Sequence, residues 1–92
     1  MVIIMTVCFY GRIKEHTNGD KSYIPTSKEH STLRSLLDEL IGYYGESFDF
    51  FINSSETCLL LVNGRGIKQT GGLDTPVSRD DKIEILPFVE AG

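Results

Sequence analysis

Tryptophan is absent from the 92 residues, proline occurs 3 times, and cysteine and histidine occur twice each. Two cysteines, Cys8 and Cys58, are too few for a disulfide framework and do not stand in metal-ligand spacing. Neither has a basic neighbour or a helix start to lower its pKa, so both read as small packed hydrophobes. His16 and His30 sit in polar stretches with no second ligand nearby in sequence, and are expected to be solvated. No metal site and no Ser/His/Asp constellation are expected. Long apolar runs are missing too: nothing approaches the ~18 residues needed to span a bilayer. The start, Met1-Val2-Ile3-Ile4-Met5, lacks the basic n-region of an export signal, which leaves a reducing cytoplasm as the expected setting. Basic residues are few, 9 against 13 acidic, for a net charge of −4. Such a chain has little electrostatic reason to grip a phosphate backbone, so neither nucleic acid nor membrane is expected as a partner. With 40% hydrophobic and 24% charged residues, the composition excludes disorder and collagen-like repeats.

What is present reads as one small domain over residues 1–92. From Ile3 to Tyr10, Val7 and Phe9 alternate with Thr6, Cys8 and Tyr10, the period of a strand. Asn18-Gly19-Asp20 signals a turn, and Ser22 to Thr26 reads as a second strand of a long-looped hairpin. Leu33, Leu36, Leu37, Leu40, Ile41 and Tyr44 then draw one apolar stripe at helical spacing. Thr32 or Ser31 supplies the N-cap oxygen and Gly45 the C-terminal stop. Phe48, Phe50, Phe51 and Ile52 read as an irregular run that plugs the end of the core.

Cys58 to Val62 is almost unbroken in apolar character, the mark of a strand buried on both faces. Asn63-Gly64 is a strong hairpin signal, with a short return strand expected over Ile67 to Thr70. The same glycines in Asn63-Gly64-Arg65-Gly66 do not make a phosphate cradle, because no helix is expected to start after them. Gly71-Gly72 opens a loop, Asp80-Asp81 turns the chain, and Lys82 to Phe88 forms the last strand, with Ile83 and Ile85 on one face. Pro87 lacks an N–H, so pairing should stop near it. The tail from about residue 88 is expected to be flexible. The order ββαβββ describes an α+β domain: a mixed sheet of four to five strands packed on one main helix. It is the order of the β-grasp, in which the first and last strands lie side by side, parallel, at the centre. Cys8, Tyr10 and Leu86 should then fall on the face away from the helix, a possible docking face for a partner.

Three segments carry a family resemblance. They are Leu60-Leu61-Val62-Asn63-Gly64-Arg65, Gly72-Leu73-Asp74-Thr75-Pro76-Val77, and Asp80 through Gly92. With Met5 through Glu15 and Thr32-Leu33, they resemble the MoaD/ThiS sulfur carriers of ubiquitin-like fold, above all the small subunit of molybdopterin synthase. The resemblance implies a carrier, not a catalyst, that binds no cofactor. Its C-terminal glycine, here Gly92, would be adenylated by an E1-like adenylyltransferase using ATP and converted to a thiocarboxylate. The molybdopterin synthase large subunit would receive the tail Pro87-Phe88-Val89-Glu90-Ala91. The family usually ends Pro-Pro-Val-Ala-Gly-Gly, and this chain differs at Phe88, Glu90 and Ala91. Two other readings share the fold: a ubiquitin-like modifier joined to lysines through Gly92, and an interaction module without sulfur chemistry.

Overall fold

The computed structural model describes residues 5–25, 31–53 and 58–87. The first strand's expected start at Ile3, the second strand's end at Thr26, His30 and the tail residues Phe88, Val89, Glu90, Ala91 and Gly92 lie outside them. Strands β1 (Thr6–Phe9), β2 (Ser22–Tyr23), β3 (Cys58–Val62), β4 (Arg65–Gly66) and β5 (Lys82–Pro87) form one sheet in the order β2-β1-β5-β3-β4. β1 and β5 are parallel neighbours at its centre, with Val7 opposite Ile83 and Phe9 opposite Ile85. The other pairings are antiparallel. Helices α1 (Leu33–Tyr44) and α2 (Glu46–Asn53) supply the second layer of this β-grasp domain.

Period-two alternation places the core. Val7, Phe9, Leu60, Val62, Ile83 and Ile85 turn one sheet face inward, onto Leu33, Leu36, Leu37 and Leu40 of α1. Each such side chain contributes about 1.5–3 kcal/mol by leaving water. Thr32 is the N-cap: its hydroxyl oxygen accepts the Ser35 N–H at 3.3 Å. The same end of α1 is tied to the loop before β5, where the Leu33 N–H donates to Thr75 O at 2.9 Å.

Several expectations are corrected. Residues 46–53 are not an irregular run but α2, so the layer holds two helices. Phe48, Phe51 and Ile52 share one helix face, with Phe48 fully buried, while Phe50 is 80% exposed. Gly45, at φ 96°, ends α1 by donating to Ile41 O and starts α2 by accepting the Asp49 N–H. β3 is not buried on both faces. Leu60 and Val62 are buried, whereas Leu59 is exposed and Leu61 half-buried. The return strand is Arg65–Gly66, and Ile67–Gln69 form a 3-10 turn. β2 holds only Ser22 and Tyr23. The chain leaving β1 is not a plain loop but a 3-10 segment, Gly11–His16, anchored by fully buried Ile13. His16 on it is not simply solvated: its Nδ1 lies 3.1 Å from Ser47 Oγ and its ring packs on Phe51.

Candidate functional site: an open sheet face and the base of a tail

Alternation along the three central strands settles which side chains face away from the helices. Cys8 stands opposite Glu84, Leu61 opposite the same Glu84, and Leu59 opposite Leu86. Tyr10 follows β1, its N–H donating to Ile85 O at 3.1 Å. Cys8, Tyr10 and Leu86 therefore lie on one face. Leu59 and Leu61 join them, two residues that an expectation of burial on both sides of β3 leaves out. The period of two within Cys58–Val62 is the signal that could have found them. Leu59 and Tyr10 are 38% and 37% exposed, and Cys8, Leu61 and Leu86 are half-buried.

One carboxylate stands among these side chains. The hydrogen bond to Glu84, with smaller contributions from burial and charge, raises the Tyr10 hydroxyl above its ordinary pKa. Lys82 Nζ lies 3.9 Å from Glu84 Oε2. The face is thus largely apolar and carries one ion pair, Lys82 with Glu84. Among the described residues no group of three His, Cys, Asp or Glu side chains is placed to hold a metal ion. No described helix is long and apolar enough to cross a membrane.

The described part of the last strand ends at the edge of this face. Pro87, opposite Cys58, is the final residue of β5. On its other side stands Gly11, in the left-handed region at φ +64°; a Cβ there would come within 2.9 Å of Pro87 Cγ. Cys58, beside the exit, is unsuited to nucleophilic work. Burial pushes its thiol from an ordinary 9.0 up to about 11. Iodoacetamide at about pH 8 should therefore spare Cys58 in the native protein and modify it on unfolding. The unfolded chain releases this proton near pH 9 and the folded chain only near pH 11, so stability falls as pH rises through that window. Alkylation of native Cys58 at the unfolded rate would contradict this burial.

A central parallel pair made by the first and last strands and a helical layer covering one sheet face define the ubiquitin-like class of β-grasp domains. The chain belongs to the ThiS family, whose pattern it matches over residues 7–92, and with it to the ubiquitin-fold sulfur carriers. Solved structures share the fold. CysO in the BexX/CysO complex of Amycolatopsis orientalis is 23% identical, at TM-score 0.76, over 96% of this chain and 99% of that one. Small archaeal modifier protein 1 from Methanosarcina acetivorans is 22% identical, at TM-score 0.76, over 98% and 97%. A candidate molybdopterin converting factor, subunit 1, from Pyrococcus furiosus is 18% identical, at TM-score 0.73, over 96% and 100%. No curated protein matches the chain significantly in sequence.

Proposed function

We propose that this protein carries sulfur on the carboxyl group of Gly92, as the small subunit of a molybdopterin synthase. The observation that supports this most is the course of β5. It runs through the centre of the sheet and ends at Pro87, five residues short of Gly92, while the family pattern continues through residue 92. Five extended residues reach roughly 16 Å, enough to place the terminus inside another protein. A carboxylate is a poor electrophile. Its oxygen attacks the α-phosphorus of ATP, held by an E1-like enzyme, and pyrophosphate leaves. A hydrosulfide donor then adds at the acyl carbon; the C–S bond forms, the C–O bond breaks, and AMP carries the electron pair away. The large subunit of the synthase takes the charged tail, and the apolar face of Cys8, Tyr10, Leu59 and Leu86 is the surface on which it docks. The chain itself supplies no catalytic group, and its setting is the cytoplasm.

A second reading is favoured by the fold shared with a small archaeal modifier protein. The same activated carboxyl would then be attacked by a lysine amine to give an isopeptide. One experiment separates the two: incubation with an E1-like enzyme, ATP and a sulfide donor, followed by intact-mass measurement. Replacement of one oxygen by sulfur is the expected result. Linkage to lysines with no sulfur-bearing form supports the modifier, and an unchanged mass rejects both.

A further inference from the structure

We propose that Asn63 is a deamidation site that the fold masks: a side-chain clamp holds its carboxamide in the native protein, and unfolding releases it to cyclise with Gly64. Asparagine followed by glycine is open to this chemistry because no Cβ on the glycine hinders the approach of its nitrogen. The deprotonated Gly64 nitrogen attacks Cγ of Asn63. The new N–C bond forms, the bond from Cγ to Nδ2 breaks, and ammonia leaves with the electron pair and a proton. Water then opens the succinimide at either carbonyl, to aspartate or to isoaspartate. One water enters and one ammonia departs, with no change of oxidation state.

The chain holds two such steps, Asn18-Gly19 and Asn63-Gly64, and their backbones match at φ. Asn18 and Asn63 take 55° and 52°, Gly19 and Gly64 take 84° and 83°. All four residues are exposed. The side chains differ. Asn63 Nδ2 donates to Asp81 Oδ1 at 2.9 Å, and Asn63 Oδ1 accepts the Lys82 N–H at 2.9 Å. Asp81 is itself held, its Oδ2 accepting the Ser78 N–H at 2.8 Å. The Asn63 N–H donates to Lys82 O at 2.8 Å, so backbone and carboxamide of one residue grip the same start of β5. Bringing Cγ into bonding distance of the Gly64 nitrogen gives up both side-chain bonds, one of them to a carboxylate. Among the described residues nothing holds the Asn18 carboxamide. The restraint there is on the nitrogen, the Gly19 N–H donating to Lys14 O at 2.9 Å. One neutral hydrogen bond opposes the reaction at Asn18, and two, one of them charge-assisted, oppose it at Asn63. The change at Asn63 is also lasting. The donor to Asp81 is replaced by a carboxylate oxygen that repels it, and isoaspartate lengthens the turn backbone besides.

The test incubates the full chain at mildly alkaline pH, folded and in urea, and follows both steps by peptide mapping with isoaspartate detection. Each folded rate is divided by the rate of the same step in urea. Asn63 is expected to be slowed at least about tenfold by folding, and more than Asn18, since opening hydrogen bonds of this kind costs about that factor. Asp81→Ala is expected to return most of the lost rate to Asn63 and to leave Asn18 unchanged, while slow amide exchange at Ile85 shows the variant to be folded. Asp81→Asn, which keeps the shape and weakens the acceptor, stands in if Asp81→Ala unfolds, with a smaller gain. Asn63→Asp, the stand-in for the product, is expected to lower the urea midpoint more than Asn18→Asp does. Asn63 reacting as fast folded as in urea, slowed no more than Asn18, or indifferent to the change at Asp81 overturns the clamp. Equal midpoints for the two aspartate variants overturn it as well.

Discussion

Deleting Gly92 is expected to abolish thiocarboxylate formation completely while leaving the domain folded. The loss is total because the reaction needs one acyl carbon at one position. Removing it presents the Ala91 carboxyl a residue short of the enzyme's phosphate site. Extended chain advances about 3.3–3.6 Å per residue, more than the tolerance of an in-line attack. Ala91 also carries a Cβ that Gly92 lacks, so the new terminus is bulkier as well as shorter. The fold should not notice. The last fully buried side chain of β5 is Ile85, and the tail lies beyond it. Intact-mass spectrometry after charging, with circular dichroism as the control for folding, checks the prediction. A truncated chain that still gains sulfur would show that Gly92 is not the reacting residue. A truncated chain that unfolds would show the tail to be part of the body of the domain.

The framework of this fold was legible where the chemistry is local. Val7 and Phe9, Ile83 and Ile85 announce their strands by alternation. The leucine stripe of α1 needs no tertiary information, and Thr32 is its cap. Asn63 and Gly64 take φ 52° and 83°, as a tight hairpin between β3 and β4 requires. The misses have a common physical cause. Over residues 46–53 the aromatic residues are so dense that Phe50, pointing to solvent, hides the i, i+3, i+4 spacing of Phe48, Phe51 and Ile52. In β3, five apolar residues in a row conceal an alternation that appears only when the sheet has a covered and an uncovered side. The short β4 and the 3-10 turn after it depend on where β3 ends, not on their own residues. The candidate site divides the same way. Cys8, Tyr10 and Leu86 follow from strand phase alone. The contact of Gly11 with Pro87 joins residues far apart in sequence, and no local pattern signals it. The role proposed for Gly92 rests on family resemblance and not on any physical property of a glycine.

The second large effect is on stability, and it tests the helix that the sequence concealed. Phe48→Ala is expected to cost about 3–5 kcal/mol, the range for emptying a buried aromatic site. Phe48 is fully buried. Its ring meets Phe9 of β1 edge-on at 6.1 Å and Tyr44 of α1 at 5.4 Å, so it pins both helices to the central strand. Tyr44 in turn reaches out of this cluster, its hydroxyl donating to Asp20 at 2.8 Å. Removing Phe48 therefore loosens the junction of α1, α2 and β1 together, and the surrounding side chains cannot collapse into the space without moving a helix. A loss of that size is a large part of the roughly 5–15 kcal/mol that holds a small domain together. For a domain of this length it lowers Tm by on the order of 15–30 °C. Phe50→Ala supplies the contrast. Two residues away and 80% exposed, it should change stability by no more than about 0.5 kcal/mol. Urea unfolding of the two variants decides the matter. If both cost the same, the two rings share one environment, and α2 does not present the face that its position against β1 requires.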